Sequence, residues 1–211
     1  MTAGVTWTLY GVPGWGSALA EAALAWVGEP FAFIDVEDFD QPGPARERLL
    51  EVNRLARVPT LVRSDGLILT ESAAIVLHLA DQNPGSKLAP PPGDIDRPAF
   101  LNRLIWFVST VYPTFSYRDY PERWAPSATE ELDERIDAFR GSLWRQFESE
   151  VGHGPFVLGD QASALDLYVT VMSHWRPRRD WLAQHCPKVH AIAVAAEAIP
   201  AIAPVMKRNF G

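Results

Sequence analysis

The chain has one cysteine, Cys186, in 211 residues. A lone thiol excludes an internal disulfide and the paired C-x-x-C redox motif, and it makes a reduced compartment the default. Long apolar runs are missing too. Nothing approaches the roughly 20 apolar residues of a membrane span, and Met1-Thr2-Ala3-Gly4-Val5 has no basic region leading into an apolar core. A cytoplasmic protein with no membrane partner is the expectation. Lysine is absent from the first 80 residues, where five arginines face ten carboxylates, and the whole chain carries −7. Without clustered cations to neutralise phosphates, nucleic acid is not an expected partner. Gly11-x-x-Gly14-x-Gly16 lacks the spacing of a dinucleotide fingerprint, and no GxxxxGK phosphate loop occurs.

What is present is ordinary for a soluble globular chain, with 47% hydrophobic and 21% charged residues, enough for one large domain or two small ones. Val5 to Tyr10 is β-branched and aromatic, and Gly11 to Gly16 breaks it. Ser17 can cap a helix whose apolar face is Ala20, Ala23, Leu24 and Val27, ending at Gly28. A strand over 31–36, a helix opening at Pro44, and a hairpin around Ser64-Asp65-Gly66 follow. A helix then starts near Glu71-Ser72, so the order is β-α-β-α-β-β-α. Residues 83–94 are rich in proline and glycine and read as an interdomain linker between domains 1–82 and 95–211. Beyond it only helices are expected: 96–112, 127–151, 163–175 and 187–198. Ser127 with Glu130, and Ser163 with Asp166, have capping-box spacing.

His185, Cys186 and His190 cluster in sequence, but Pro187 opens a helix among them and no carboxylate follows at ligand spacing. No metal is expected. His78 and His174 lie on apolar helices and read as core or interface residues.

Leu9-Tyr10 before a Pro-Gly loop and Ser17, Asn53 five residues before Val58-Pro59, and Thr70-Glu71-Ser72-Ala73-Ala74-Ile75 stand in a specific order. Phe156-Val157-Leu158-Gly159-Asp160 and Ser163-x-x-Asp166 continue it. In this pattern the chain resembles the cytosolic glutathione S-transferases, of a serine-type or unassigned bacterial class. That resemblance implies a thioredoxin-like N-terminal domain, an all-α C-terminal domain and a homodimer. It also implies a cis Val58–Pro59 bond, with the Val58 main chain pairing with the cysteinyl backbone of glutathione like an added strand. Glu71 and Ser72, at a helix start, would hold the ammonium and carboxylate of the γ-glutamyl group. Arg57 and Asn53 are further binding candidates beside the same proline.

The nucleophile would be the thiol of glutathione, a co-substrate. Lowering a thiol pKa of about 8.5 by two units needs roughly 2.7 kcal/mol of preferential thiolate stabilisation. Ser17 is the leading donor, Tyr10 the runner-up, and N–H groups of the glycine-rich loop a third source. No cysteine stands in this loop, which argues against disulfide-type chemistry through an enzyme thiol. The partner would be a small hydrophobic electrophile held between the domains by Trp15, Tyr112 and Phe115. The implied activity is conjugation of glutathione. The alternatives are a non-catalytic binding protein, or a glutathione-dependent isomerase, peroxidase or lyase.

Overall fold

The computed structural model describes residues 6–211; Val5 and the N-terminal segment read above for targeting signals lie outside them. The first elements are β1 (Trp7–Gly11), α1 (Ser17–Val27), β2 (Phe31–Asp35), α2 (Pro44–Val52), β3 (Thr60–Arg63), β4 (Ile68–Leu69) and α3 (Ser72–Gln82). The sheet order is β2-β1-β3-β4, with β1 and β2 parallel and the other pairs antiparallel. This is the expected thioredoxin-like arrangement. It follows from the sequence spacing: β1 and β2 are joined through a helix, as parallel neighbours require, while β3 and β4 need only a turn at Gly66, whose φ is +98°.

Helix α1 is buried on every side from Ser17 to Leu24, because it packs on β1, on α3 and on a helix from the far end of the chain. Its run of alanines lets three neighbours approach closely. Glu21 is the one charged residue in that run and is 1% exposed.

The helical part comprises α4 (Arg97–Trp106), a π turn (Phe107–Val111), α5 (Tyr112–Asp119), α6 (Thr129–Glu150), α7 (Ala164–Ser173), α8 (Arg179–His185), α9 (Pro187–Glu197) and α10 (Ala203–Phe210). The wide turn comes just before Pro113, which has no N–H to continue an α-helical ladder. The core centres on Phe107, stacked on Tyr168 at 5.9 Å and packed against Trp144 and Phe147.

Chain contacts divide the protein into two compact units, one running to Pro91 and including Glu197–Gly211, the other Pro92–Ala196. Two expectations change. Residues 95–211 do not form one helical domain, because α10 buries Val205 and Met206 in the first unit and contacts α1. Nor is 83–94 a free linker throughout. Pro84–Ser86 forms a 3₁₀ turn whose Ser86 carbonyl accepts from Trp26 Nε1 at 2.8 Å, and Leu88 is fully buried.

Of the two capping boxes, Ser163–Asp166 forms and Ser127–Glu130 does not. Ser127 lies in a turn closed by Ala128 N–H on Ala125 C=O, so α6 begins later, without a side-chain cap. Asp166 exceeds a capping role. Its carboxylate accepts from Ser163 N–H at 2.7 Å, from Val157 N–H at 2.8 Å and from the Ser163 hydroxyl, and it is fully buried. Burial pushes its pKa up to about 6, against the lowering effect of those bonds.

Asp166→Ala leaves two backbone donors without an acceptor and is expected to cost about 2–4 kcal/mol in urea unfolding at neutral pH. Because the folded pKa lies above the unfolded value of about 3.9, this group stabilises the fold fully below about pH 4. That contribution disappears as pH rises to about 6. Wild type should lose stability across that window relative to Asp166→Asn, and parallel pH profiles would overturn the assignment.

Candidate functional site

Strand register brings three segments to one end of the sheet. Tyr10 pairs with Thr60, and Leu61 with Leu69. Carried past the ladders, the same registers set Gly11 and Glu71 on either side of Pro59. The loop leaving β1, the loop entering β3 and the start of α3 therefore converge.

At the centre the Val58–Pro59 bond is cis, as the resemblance implied. Pro59 is buried and Val58 half-buried. Val58 precedes the β3 ladder, and no hydrogen bond joins its N–H or C=O to another described residue. It is a short strand edge open to a peptide. Asn53 builds this loop instead of facing outward. Its Nδ2 donates to Arg57 C=O at 3.1 Å and to Thr60 Oγ1 at 2.9 Å, its Oδ1 accepts from Leu55 N–H, and it is 6% exposed. Thr60 Oγ1 in turn donates to Arg57 C=O at 2.8 Å. Both Asn53 donors are thus committed within the protein, which replaces the expected ligand contact with a bracing role. Arg57 is exposed and makes no ion pair with another described residue.

Glu71 occupies the cap position of α3, exposed, with its side chain not bonded to its own helix, and the first helical bond is Ile75 N–H to Glu71 C=O. Ser72, half-buried, is the first helical residue. A carboxylate thus stands beside the positive end of a helix dipole, a pairing suited to an ammonium and a carboxylate on one carbon.

The loop from Gly11 to Ser17 corrects the leading donor. Ser17 is fully buried; its hydroxyl donates to Val12 C=O at 2.8 Å and accepts from Val12 N–H at 3.0 Å. It neither caps α1, whose cap residue is Gly16, nor offers a proton outward. Gly11 is required beside it, since a Cβ there would overlap the Ser17 side chain. Tyr10, the runner-up, packs half-buried against the cluster of Val12, Val36, Phe39, Leu49 and Ala56. The remaining donors are main-chain groups. Neither Gly16 N–H nor Ser17 N–H bonds to another described residue, as expected of the first N–H groups of a helix, which have no carbonyl one turn earlier to bond to.

The aromatic candidates divide between the units. Trp15 is 41% exposed and edge-on to Phe39 at 5.6 Å. Phe115 is core in the second unit, under the Arg140 guanidinium and 5.0 Å from Trp175, so it walls no open site there. Tyr112 is half-buried against the same Trp175. Cys186 is buried, and desolvation pushes its thiol up to about 11, which makes it a poor nucleophile.

Two participants escaped the sequence reading, Glu21 and Asn209. Asn209 Oδ1 accepts from Gly14 N–H at 2.9 Å, and its Nδ2 donates to Glu21 at 3.1 Å. A single acid in the run Ser17-Ala-Leu-Ala-Glu21-Ala-Ala-Leu24 was the available signal, since a buried charge needs a partner. Nothing in the sequence indicated that the partner lies 187 residues away, at Arg208.

Asn53→Ala should remove the bonds to Arg57 C=O and Thr60 Oγ1 and leave Leu55 N–H without its acceptor, lowering stability by about 1–3 kcal/mol in urea unfolding. Unchanged stability would show that Asn53 does not brace this loop.

A family model for the glutathione S-transferase N-terminal domain matches residues 20–82. The chain is 41% identical over 201 residues to an uncharacterized GST-like protein, YncG, of Escherichia coli K12, spanning 95% of this chain and 97% of that protein. Among solved structures, a glutathione transferase homolog from Sulfitobacter with bound glutathione superposes with a TM-score of 0.85 at 25% identity, covering 98% of this chain and 99% of its own. A sphingomonad glutathione S-transferase complexed with glutathione superposes with a TM-score of 0.77 at 28% identity, covering 95% and 97%. With that fold and 41% identity to a GST-like relative over nearly the full length of both chains, the chain belongs to the glutathione S-transferase family.

Proposed function

We propose that the first unit binds glutathione and that the chain conjugates its thiolate to a small hydrophobic electrophile. The observation that carries this reading is the unpartnered main chain of Val58 beside Pro59, set by strand register across from Glu71. In this reading Val58 N–H and C=O pair with the cysteinyl residue as an added strand. Glu71 takes the γ-glutamyl ammonium, Ser72 and the α3 terminus take its carboxylate, and exposed Arg57 is a candidate for the glycyl carboxylate.

The thiol then reaches the start of α1. There the Gly16 and Ser17 N–H groups and the helix dipole replace Ser17 hydroxyl as the source of thiolate stabilisation. Two hydrogen bonds to a charged sulfur, at about 1.5–3 kcal/mol each, suffice for the roughly 2.7 kcal/mol that a two-unit shift requires. The thiol proton leaves to solvent. The thiolate forms a carbon–sulfur bond as a leaving group departs with its electron pair, or as the electrons of an activated double bond move onto its acceptor group. Exposed Trp15, beside the same loop, is an apolar contact for that electrophile. The active species in this reading is a homodimer.

A second reading, glutathione binding without activation, is favoured by the commitment of the Ser17 hydroxyl to Val12. Titration of glutathione while recording thiolate absorbance against pH separates the two. Transferase function predicts a bound thiol pKa near 6.5, about two units below the free value; binding with an unshifted pKa supports the second reading. Glu71→Gln and Ser72→Ala should each weaken binding about 10–100-fold. Wild-type affinity in both variants would exclude this site.

A further inference from the structure

We propose that Asn209, on α10, is a positioning residue for the thiolate-holding loop. This rests on the reading that Gly16 and Ser17 N–H groups hold the sulfur.

Between Val12 and Gly16 the loop contains Pro13, which has no N–H, and Gly14, whose φ of +79° favours glycine. The loop's own bonds join Val12 to Ser17 through the paired hydroxyl contacts and close a turn over Pro13 and Gly14 by Trp15 N–H on Val12 C=O. That turn is also held from outside. Asn209 Oδ1 accepts from Gly14 N–H at 2.9 Å, and the Asn209 carbonyl oxygen would lie 3.2 Å from a Cβ at Gly14. The same carboxamide is anchored twice through Nδ2, to Glu21 at 3.1 Å and to Val205 C=O at 2.8 Å. Arg208 pairs with Glu21 as well.

The chemistry of the position calls for asparagine. Gly14 presents a donor, while Glu21 and Val205 present acceptors, so the side chain there must accept on one side and donate on the other. Aspartate would set a carboxylate against the buried carboxylate of Glu21. Alanine would remove the Gly14 acceptor and the Glu21 donor together, leaving Arg208 as the partner of Glu21. Gly14 stands two residues before Gly16, so fixing its amide fixes the direction of the peptide planes whose N–H groups face the sulfur. Donors placed in advance stabilise an anion better than donors that must reorganise around it.

The test compares Asn209→Ala with Met206→Ala, which weakens α10 packing through a buried side chain of the same helix while keeping Asn209. Three quantities are read on the full chain: melting temperature, amide exchange at Gly14 by NMR, and the pKa of bound glutathione thiol. In Asn209→Ala, Gly14 exchange should accelerate at least tenfold and the thiol pKa should rise by about one unit, while Met206→Ala loses melting temperature without raising the pKa. A wild-type pKa in Asn209→Ala, unchanged Gly14 exchange, or an equal rise in Met206→Ala would overturn the proposal. Failure of the underlying functional reading looks different: wild type itself would bind glutathione without forming thiolate.

Discussion

Helix α1 is buried on every side, and its polar groups must find partners without water, a constraint that much of the first unit follows from. A helix enclosed by β1, α3 and α10 has no water to satisfy stray polar groups. Ser17 therefore turns its hydroxyl back onto Val12, satisfying both a donor and an acceptor of the loop. Glu21 is matched by Arg208 and Asn209. Gly16 stands where a serine or aspartate usually closes the helix, and Ala18 and Leu19 N–H bond instead to the Trp15 and Gly16 carbonyls.

The same economy shapes the neighbouring loop. Asn53 and Thr60 spend their polar atoms on Arg57 and on each other, so the Val58 main chain is the part left unpaired. The open groups of this loop are backbone atoms, and the polar side chains around them hold those atoms in place. Side-chain identity is then a poor guide to which backbone groups stay open. It is a good guide to which residues build the loop.

That distinction explains what the sequence made legible. The order of strands and helices, the hairpin, the Ser163–Asp166 box and the start of α3 at Ser72 were readable, because each depends on local chemistry at fixed spacing, while the cis Val58–Pro59 bond followed from the family resemblance. Ser17 and Asn53, read as a donor and a ligand contact, turn inward to Val12, Arg57 and Thr60, since a hydroxyl or amide pointing inward has the same sequence signature as one pointing outward. Ser127 failed as a cap because a turn from Ala125 intervened. Phe115 was indistinguishable from a substrate wall until its contacts with Trp175 and Arg140 were seen. The return of α10 was beyond reach, being a contact across nearly the whole chain.

The placement of α10 in the first unit also has a bearing on synthesis. A ribosome delivers β1, α1 and the rest of the sheet early, and N-terminal domains usually fold as they emerge. Here the growing chain would carry a nearly finished unit with one face of α1 uncovered and the Glu21 carboxylate unmatched, through the translation of more than a hundred further residues. Closure of that face is deferred until α10 arrives, so the protein's first domain to be made is the last to be completed.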